Sequence, residues 1–241
     1  MDAGSRVMGN IMAWRAAFPC ARAVNVSRRN DINDSDFVHI RGDSKRARLH
    51  TVNMSECRRI TDSAFMHLHG IHTVLIVNCS SQSNITDAVF AHLRGIHTLN
   101  MSFCTQVTIT DKAFVHLRGI HTLTMSYCNQ ATITDVADST FFNLCGIHTL
   151  NIRFCNQNTI TDAAFMHLRG INTLIMIKCD QETITEKAFV NIHGIKSLST
   201  HGCRPIIQNS CTGRRILNHE YRCRNFFGKG PKLVRKGRKE V

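Results

Sequence analysis

The sequence predicts an α/β solenoid, in which short parallel strands form one side and short helices the other. Cysteines recur along the chain at steps of 22 to 27 residues, at Cys57, Cys79, Cys104, Cys128, Cys155, Cys179 and Cys203. Glycines recur at nearly the same steps, at Gly70, Gly95, Gly119, Gly146, Gly170 and Gly194. A period of about 20–29 residues is typical of solenoids, whose units bury their apolar faces by stacking on their neighbours.

Each repeat begins with a predicted strand. Residues 96–101 read IHTLNM and alternate apolar and polar side chains, the period-2 pattern of a half-buried strand. We expect the apolar residues of this stretch to face the core, at Ile96, Leu99 and Met101. A short bend separates the first of them from the strand.

A short helix follows each strand, over residues 109–119 in the same repeat. Thr110 is a favoured N-cap, and Asp111 suits the positive end of the helix dipole. The apolar residues of the helix share one face, at Ala113, Phe114 and Leu117. Gly119 supplies a left-handed C-cap that ends the helix.

The full repeat pattern, I-x-x-L-x-M-x-x-C-x-x-x-x-I-T-D-x-A-F-x-x-L, resembles the cysteine-containing class of leucine-rich repeats. F-box/leucine-rich-repeat proteins, the substrate adaptors of cullin-RING ubiquitin ligases, typify that class. The resemblance is strong over residues 47–203 and weak over 21–46. It implies a leucine-rich-repeat horseshoe with a parallel inner sheet and short outer helices. More loosely, the near-identical copies resemble repeat proteins of giant DNA viruses of amoebae.

Four segments are predicted along the chain. Residues 1–20 form an N-terminal cap helix or the remnant of an F-box, since Trp14, Arg15, Phe18 and Pro19 resemble the closing helix of that domain. The L-P-x-E opening of an F-box is absent from the sequence. Residues 21–203 form about seven modules and a final strand. Residues 204–227 form a C-terminal cap, and 228–241 a disordered basic tail.

The repeated cysteines and histidines favour structural roles. The eleven cysteines are odd in number and regularly spaced, which favours buried thiols over disulfides. The histidines form two columns, one before the strands at His50, His72, His97, His121 and His148, the other on the helices at His67, His92, His116 and His167. Either column presents imidazoles to a metal or to a change of pH, or is simply solvated after duplication. We favour the solvated interpretation.

A second cluster of metal-ligating residues follows the repeats, at Cys203, Cys211, His219 and Cys223. These residues offer four zinc ligands, but the C-x-x-C spacing of structural zinc sites is missing. We therefore favour a capping turn or helix in this segment and predict no metal and no cofactor.

Recognition is expected where one repeat departs from the others. One column of strand-end positions carries Phe103, Tyr127 and Phe154, beside Arg153. Aromatic and arginine side chains are common interface anchors, and Leu75 and Ile175 add apolar spots to a polar sheet face. These six residues are the predicted partner-binding site. The alternative is that the rings cover the edge of the sheet beneath a turn.

The positive charge of the chain lies mainly at its C-terminal end. The net charge is +13, and residues 204–241 contribute +9 of it, from eleven Lys and Arg against two acids. Six basic residues of the tail are candidates for binding nucleic acid or an acidic surface, or for nuclear import, at Lys229, Lys232, Arg235, Lys236, Arg238 and Lys239. Attraction of this tail to phosphate would be non-specific and salt-dependent.

The sequence predicts a binding protein and not an enzyme. It contains no phosphate-binding glycine loop, nucleophile elbow or convincing carboxylate pair. We expect a monomeric protein-interaction scaffold, and the F-box resemblance implies a substrate-recognition module of a ubiquitin ligase. The alternative is a nuclear or nucleic-acid-associated protein acting through its tail. The absence of a long apolar run and of a secretory leader pattern predicts an intracellular protein without membrane contact, in the cytoplasm or nucleus, of a host cell if viral.

Overall fold

The computed structural model describes residues 9–40, 48–79, 84–136, 140–205 and 207. These residues form one parallel sheet whose eight strands lie in the order of the chain. The strands are β1 (Ala23–Asn25), β2 (Thr51–Asn53), β3 (Thr73–Leu75), β4 (Thr98–Asn100), β5 (Thr122–Thr124), β6 (Thr149–Asn151), β7 (Thr173–Ile175) and β8 (Ser197–Ser199). Each repeat therefore adds one strand beside the previous one.

The strands pair in register, so equivalent residues of successive repeats stand side by side. Thr98 of β4 pairs with Thr122 of β5, which in turn pairs with Thr149 of β6. From β1 to β7 the middle residue of each strand is buried, and the residues on either side of it are half-buried. The flanking residues thus face away from the core, and we call the surface that they form the sheet face.

Short helices lie opposite the sheet, on the other side of the core. The α-helices are α1 (Ile11–Ala17), α2 (Asp62–Phe65), α3 (Ala88–Ala91), α4 (Asp111–Phe114) and α5 (Thr140–Asn143). Stretches of 3-10 helix cover Asp34–Ile40, Met66–Leu68, Val115–Leu117, Asp162–Leu168 and Glu186–Val190. The described residues include no helix that is both long and apolar enough to cross a bilayer.

A helix forms within residues 109–119 as predicted, but it is not α-helical throughout. After α4 the chain tightens into the 3-10 helix Val115–Leu117, as is common in a last helical turn. Arg118 is already extended, and Gly119, at φ +81°, reverses the chain toward the next strand. The left-handed position of Gly119 was predicted from the sequence.

One apolar core lies between the sheet and the helices along the whole row of modules. The predicted core residues of the fourth module are all buried, at Ile96, Leu99, Met101, Ala113, Phe114 and Leu117. Equivalent residues of neighbouring modules pack together, as with the rings of Phe90 and Phe114, whose centres are 6.3 Å apart. The predicted α/β solenoid is confirmed.

The repeated cysteines point into this core as predicted. The thiol of Cys128 donates to the carbonyl oxygen of Met101 at 3.1 Å, and that of Cys155 to Met125 at the same distance. Each bond joins one module to the preceding one. Burial raises the pKa of Cys155 to about 12, so the thiol stays protonated and available as a donor.

Aspartate and threonine side chains form a second set of bonds between modules. The carboxylate of Asp87 accepts from both the N–H and the Oγ1 of Thr110, each at 2.7 Å. Thr110 Oγ1 also accepts from the N–H of Lys112 at 3.2 Å, which confirms its role as N-cap. The same pairing joins Asp34 to Thr61, Asp62 to Thr86, Asp111 to Thr134 and Asp162 to Thr185. The aspartates therefore connect modules, beyond the helix-dipole role expected of Asp111.

Helix α1 packs beside the first module. Its residue Ile11 joins the core, and Arg15 is buried and donates from Nη1 to the carbonyl of Ala21 at 3.1 Å. The helix lies against the 3-10 helix Asp34–Ile40. Its assignment as a cap or as an F-box remnant stays a prediction. The predicted C-terminal cap lies outside the described residues except for 204, 205 and 207, and the basic tail lies wholly outside them.

Candidate interaction site on the sheet face

A column of left-handed residues runs along the strand ends. In the turn after each of the first seven strands, one residue other than glycine has φ between +53° and +61°. These residues are Arg28, Glu56, Asn78, Phe103, Tyr127, Phe154 and Lys178. Each donates its backbone N–H to a carbonyl of the next module, as Tyr127 does to Arg153 at 2.8 Å. We call this set of seven residues the edge column.

Aromatic residues are unfavourable in this backbone conformation. A left-handed conformation costs a residue with a side chain about 1–2 kcal/mol, and only glycine and, to a lesser degree, asparagine adopt it readily. Asn78 and Gly202, which has φ +72°, satisfy that preference in the same column. Local backbone energy therefore does not explain three aromatic residues in succession at Phe103, Tyr127 and Phe154. Strained positions of this kind are concentrated at functional sites.

The three aromatic rings form a continuous stack. The ring centres of Phe103 and Tyr127 are 4.4 Å apart with planes at 13°, and those of Tyr127 and Phe154 are 4.2 Å apart with planes at 12°. Phe103 is 43% exposed, and the other two rings are half-buried. The rings cover one another's faces, so the stack presents ring edges to solvent.

Two cations lie at one end of this aromatic stack. The guanidinium carbon of Arg153 is 6.0 Å from the ring centre of Phe154, and the Nζ of Lys178 is 5.4 Å from the same centre. Gly202 leaves room for the stem of Lys178, because a Cβ on Gly202 would lie 2.8 Å from the Lys178 Cγ. The Phe154 end of the stack is therefore positively charged.

Apolar side chains border the stack on the sheet face. Leu75 and Val77 are half-buried at and just beyond β3, and Ile175 and Ile177 occupy the same positions at β7. The aromatic rings follow β4, β5 and β6, between these two apolar pairs. The six predicted site residues thus lie between β3 and β7, on the strands or in the turns that follow them, and their role in binding stays a prediction.

The remaining polar columns of the sheet face are bonded internally. Ser126 Oγ donates to Asn151 Oδ1 at 3.1 Å, and Ser102 Oγ donates to Asn100 Oδ1 at 2.8 Å. The backbone N–H of Arg153 also donates to Asn151, at 3.2 Å. These side chains stabilise the turns.

The strand-side histidines form a stacked column of their own. Centres of adjacent rings are 4.1 to 4.4 Å apart from His50 through His72, His97 and His121 to His148. Each Nδ1 lies 3.1 to 3.2 Å from the hydroxyl of the following threonine. Loss of hydration lowers the pKa of His72 and His97, and the neighbouring imidazoles lower it further.

The helix-side histidines have other contacts. Arg94 Nε donates to the Nδ1 of His116 at 3.1 Å, and the ring of His167 meets that of Phe142 edge-on at 5.7 Å. Within the part of the chain that the structure describes, no cluster of three or more His, Cys, Asp or Glu has a geometry suited to a metal ion.

Of the four residues that the sequence offered as zinc ligands, the structure describes Cys203. Cys203 lies in the core, where its thiol donates to the carbonyl of Met176 at 2.7 Å and accepts from the N–H of Cys179 at 3.3 Å. The other three ligands of that alternative, Cys211, His219 and Cys223, lie outside the described residues.

A column of buried glutamines was not predicted. Gln130 Nε2 donates to the carbonyl of Cys104 at 3.1 Å, and Gln157 Nε2 donates to Cys128 at 3.0 Å. The signal was present in the sequence as a glutamine two residues after each of four repeat cysteines. The glutamines stabilise the turns between modules.

Comparisons with known proteins place the fold among leucine-rich-repeat solenoids. TLR13, in its crystal structure with ssRNA13, superposes with a TM-score of 0.58 at 17% identity, over 80% of this chain and 26% of that one. Toll, from the Toll–Spatzle complex of Drosophila, gives 0.51 at 9% identity, over 82% and 30%. Rad7, from its complex with Elc1 in yeast, gives 0.54 at 14% identity, over 76% and 50%.

These similarities show the fold alone, because the identities are low. The chain spans between about a quarter and a half of the length of those three chains. No protein-family model matches the sequence, and no curated protein matches it. The fold is a leucine-rich-repeat solenoid with an open parallel sheet and short helices.

Proposed function

We propose that this protein is an interaction scaffold that captures a protein partner on its sheet face, with Phe103, Tyr127 and Phe154 as anchors. The observation that carries the proposal is the aromatic stack, whose residues occupy an unfavourable backbone conformation and keep their ring edges in contact with solvent. Arg153 and the apolar pairs at β3 and β7 extend the same surface. Aromatic and arginine side chains near the centre of a surface are common energetic anchors of interfaces.

The test is a pull-down with the full chain and with a Tyr127→Ser/Phe154→Ser variant. Partners retained only by the wild type are identified by mass spectrometry, purified and titrated against both proteins. We expect the variant to bind at least about 30-fold more weakly, the loss that corresponds to an anchor of about 2 kcal/mol.

The helix side of the same modules supplies the control. Val115 and Met166 are 46% and 51% exposed there, so Val115→Ser/Met166→Ser removes a similar amount of apolar surface. This control variant should keep its partners. Equal binding by the wild type and the aromatic variant would refute the proposed site.

A finer version of this proposal is a substrate-recognition module of a cullin-RING ubiquitin ligase. It is supported by the resemblance of the repeats to those of F-box/leucine-rich-repeat proteins, and the solved complex of Rad7 with Elc1 provides an example of this fold bound to a partner subunit. Co-purification of the chain with an F-box-binding adaptor subunit tests it. A Phe18→Ala variant, which changes a 46% exposed side chain at the end of α1, should then weaken that association without affecting capture on the sheet face.

A second candidate function is binding of nucleic acid through the basic tail. The observation that favours it is the charge of +9 on residues 204–241. A chain ending at Gly228 should lose binding of a labelled oligonucleotide, while the Tyr127→Ser/Phe154→Ser variant keeps it. Binding through the tail should also fall steeply as salt is raised.

A further inference from the structure

The aromatic stack has a geometry that distinguishes between classes of partner. Single-stranded nucleic acids are bound by aromatic rings that offer a free face to each base. Here both faces of Tyr127 are covered, by Phe103 on one side and Phe154 on the other. One face of Phe154 is against Tyr127, and two cations lie near that ring. Phe103, which is 43% exposed, has one face against Tyr127 and is the ring with a face left for a base. A row of bases would need several such faces, so the stack is better suited to side chains that lie along ring edges.

The charged side chains that flank the aromatic stack are basic, and an exposed acid, Asp180, follows two residues after Lys178. Three positions of each module were compared from β1 to β8: the first and the last residue of the strand, and the residue two positions after the strand. These positions are uncharged except for Arg153 and the titratable His201. In the edge column, Glu56 is already paired with Arg28 at 3.0 Å. That leaves Arg153 and Lys178 as the cations of the site.

Neither of these two cations has an ionic partner in the described part of the chain. The ion pairs among the described residues join Arg28 to Glu56 and Arg29 to Asp31. The Nε of Arg153 is buried and has no hydrogen-bond partner there. Because that Nε is closed off from solvent, a partner docking on the surface would meet the rest of the guanidinium group and the ammonium of Lys178.

The apolar pairs give the length of the surface. Leu75 on β3 and Ile175 on β7 are separated by four strand spacings of about 4.8 Å, or about 19 Å in all. An extended chain covers about 3.3 Å per residue, so about six residues span that distance. The cations lie toward the β7 end of this path.

We infer that the partner of this site is an extended acidic segment of a protein, about six residues long, whose apolar side chains lie along the ring edges of the stack and whose carboxylate binds Arg153 and Lys178. The inference rests on the proposed function and specifies its ligand. Aromatic ring edges carry partial positive charge, which adds to the preference for an acidic chain. A carboxylate pairs with a guanidinium or an ammonium through charge-assisted hydrogen bonds, which are stronger than neutral ones.

The test uses random twelve-residue peptides displayed on phage and selected on the full chain. Peptides that also bind the Tyr127→Ser/Phe154→Ser variant are removed. We expect the remaining peptides to be enriched in Asp or Glu near one end of an apolar stretch. A synthetic peptide of the leading sequence should bind the Arg153→Glu/Lys178→Glu variant at least about tenfold more weakly, since the variant replaces attraction of the peptide's carboxylate by repulsion.

A matched charge reversal on the helix side controls for net charge. Arg169 and Lys187 are exposed in the neighbouring modules, and Arg169→Glu/Lys187→Glu should leave peptide binding within about twofold, as expected of surface changes of up to about 0.5 kcal/mol. Repeating the selection on the Arg153→Glu/Lys178→Glu variant should replace the acidic residues of the peptides by Lys or Arg.

The outcomes separate the inference from the proposal beneath it. Peptides that require the aromatic stack but show no acidic enrichment would overturn the inference and leave the proposed function standing. Absence of any peptide that requires the stack would overturn both. Binding of a labelled oligodeoxythymidine that is lost in the Tyr127→Ser/Phe154→Ser variant would assign the stack to nucleic acid instead.

Discussion

The carboxylate of Asp162 accepts two hydrogen bonds from Thr185 of the next module, one from its N–H and one from its Oγ1, each at 2.6 Å. Both donors belong to the N-cap residue of the following 3-10 helix, Glu186–Val190. The contact therefore fixes where one module sits on the next and also positions an N-cap. Its equivalents recur along the solenoid, so module-to-module stability depends on this pair as well as on apolar burial.

We predict that Asp162→Ala lowers the free energy of unfolding by about 2 kcal/mol, because a charged acceptor is lost and two donors of Thr185 are left without it. Urea denaturation of the purified chain measures the change. Glu186 occupies the same position in the last module and is exposed, so Glu186→Ala should change stability by no more than about 0.5 kcal/mol. Similar losses in the two variants would contradict a role of the aspartate between modules.

Reactivity of the thiols should follow their burial. Cys20 and Cys145 are exposed, whereas Cys57 and Cys155 are buried, and burial raises the pKa of Cys57 to about 11 and that of Cys155 to about 12. Since the thiolate is the reactive form, iodoacetamide at neutral pH should label Cys20 and Cys145 before the buried thiols of the described modules. Peptide mass spectrometry after timed labelling gives the rate at each residue. In denaturant the rates should become similar, and native labelling of Cys155 as fast as Cys145 would count against the inward position.

Stability should fall when the strand-side histidine column is protonated. The folded-state pKa of His72 and His97 is lowered, first by loss of hydration and then by the facing imidazoles, including His121. The unfolded chain, with a histidine pKa of about 6.5, therefore takes up protons first as the pH falls. The stability that the unprotonated column contributes is fully present above about pH 6.5, the pKa of the unfolded histidines. It is lost as the pH falls below that value toward the folded-state pKa. Chemical denaturation at several pH values between 5 and 8 measures the slope.

A double variant tests whether this column causes the pH dependence. Asn172 already occupies the column position in the seventh module, which shows that asparagine fits the fold there. In His72→Asn/His97→Asn the loss of stability between pH 7 and 5.5 should be smaller than in the wild type. An unchanged slope would assign the effect to other groups.

Replacement of the central aromatic ring separates a binding role from a covering role. In Tyr127→Asn the left-handed backbone becomes easier to adopt, which offsets part of the lost stacking. We expect a change in the free energy of unfolding within about 1 kcal/mol, together with loss of partner capture. If the ring mainly covers the sheet edge, its removal should instead cost several kcal/mol, as removal of a packed aromatic side chain does. Thermal or urea denaturation of the variant decides between the two.

The repeat pattern was sufficient to predict the fold and the core. The steps between the cysteines set the module length, and alternation around Leu99 and the helical spacing of Phe114 and Leu117 identified which side chains are buried. These features are local, since strand and helix periodicity depend on neighbouring residues only. The position of the aromatic residues in one column also followed from counting along the repeats.

The sequence by itself thus determined the solenoid, its inward thiols and the place of each aromatic residue in the row. Tertiary structure decided the left-handed backbone at Tyr127, the stacking of its ring on both neighbours, and the bonds from Asp162 to Thr185. These depend on the register of residues some 23 to 27 positions apart. The physical reason is that a tyrosine prefers other conformations locally, and only the ladder of hydrogen bonds to the next module holds it in this one.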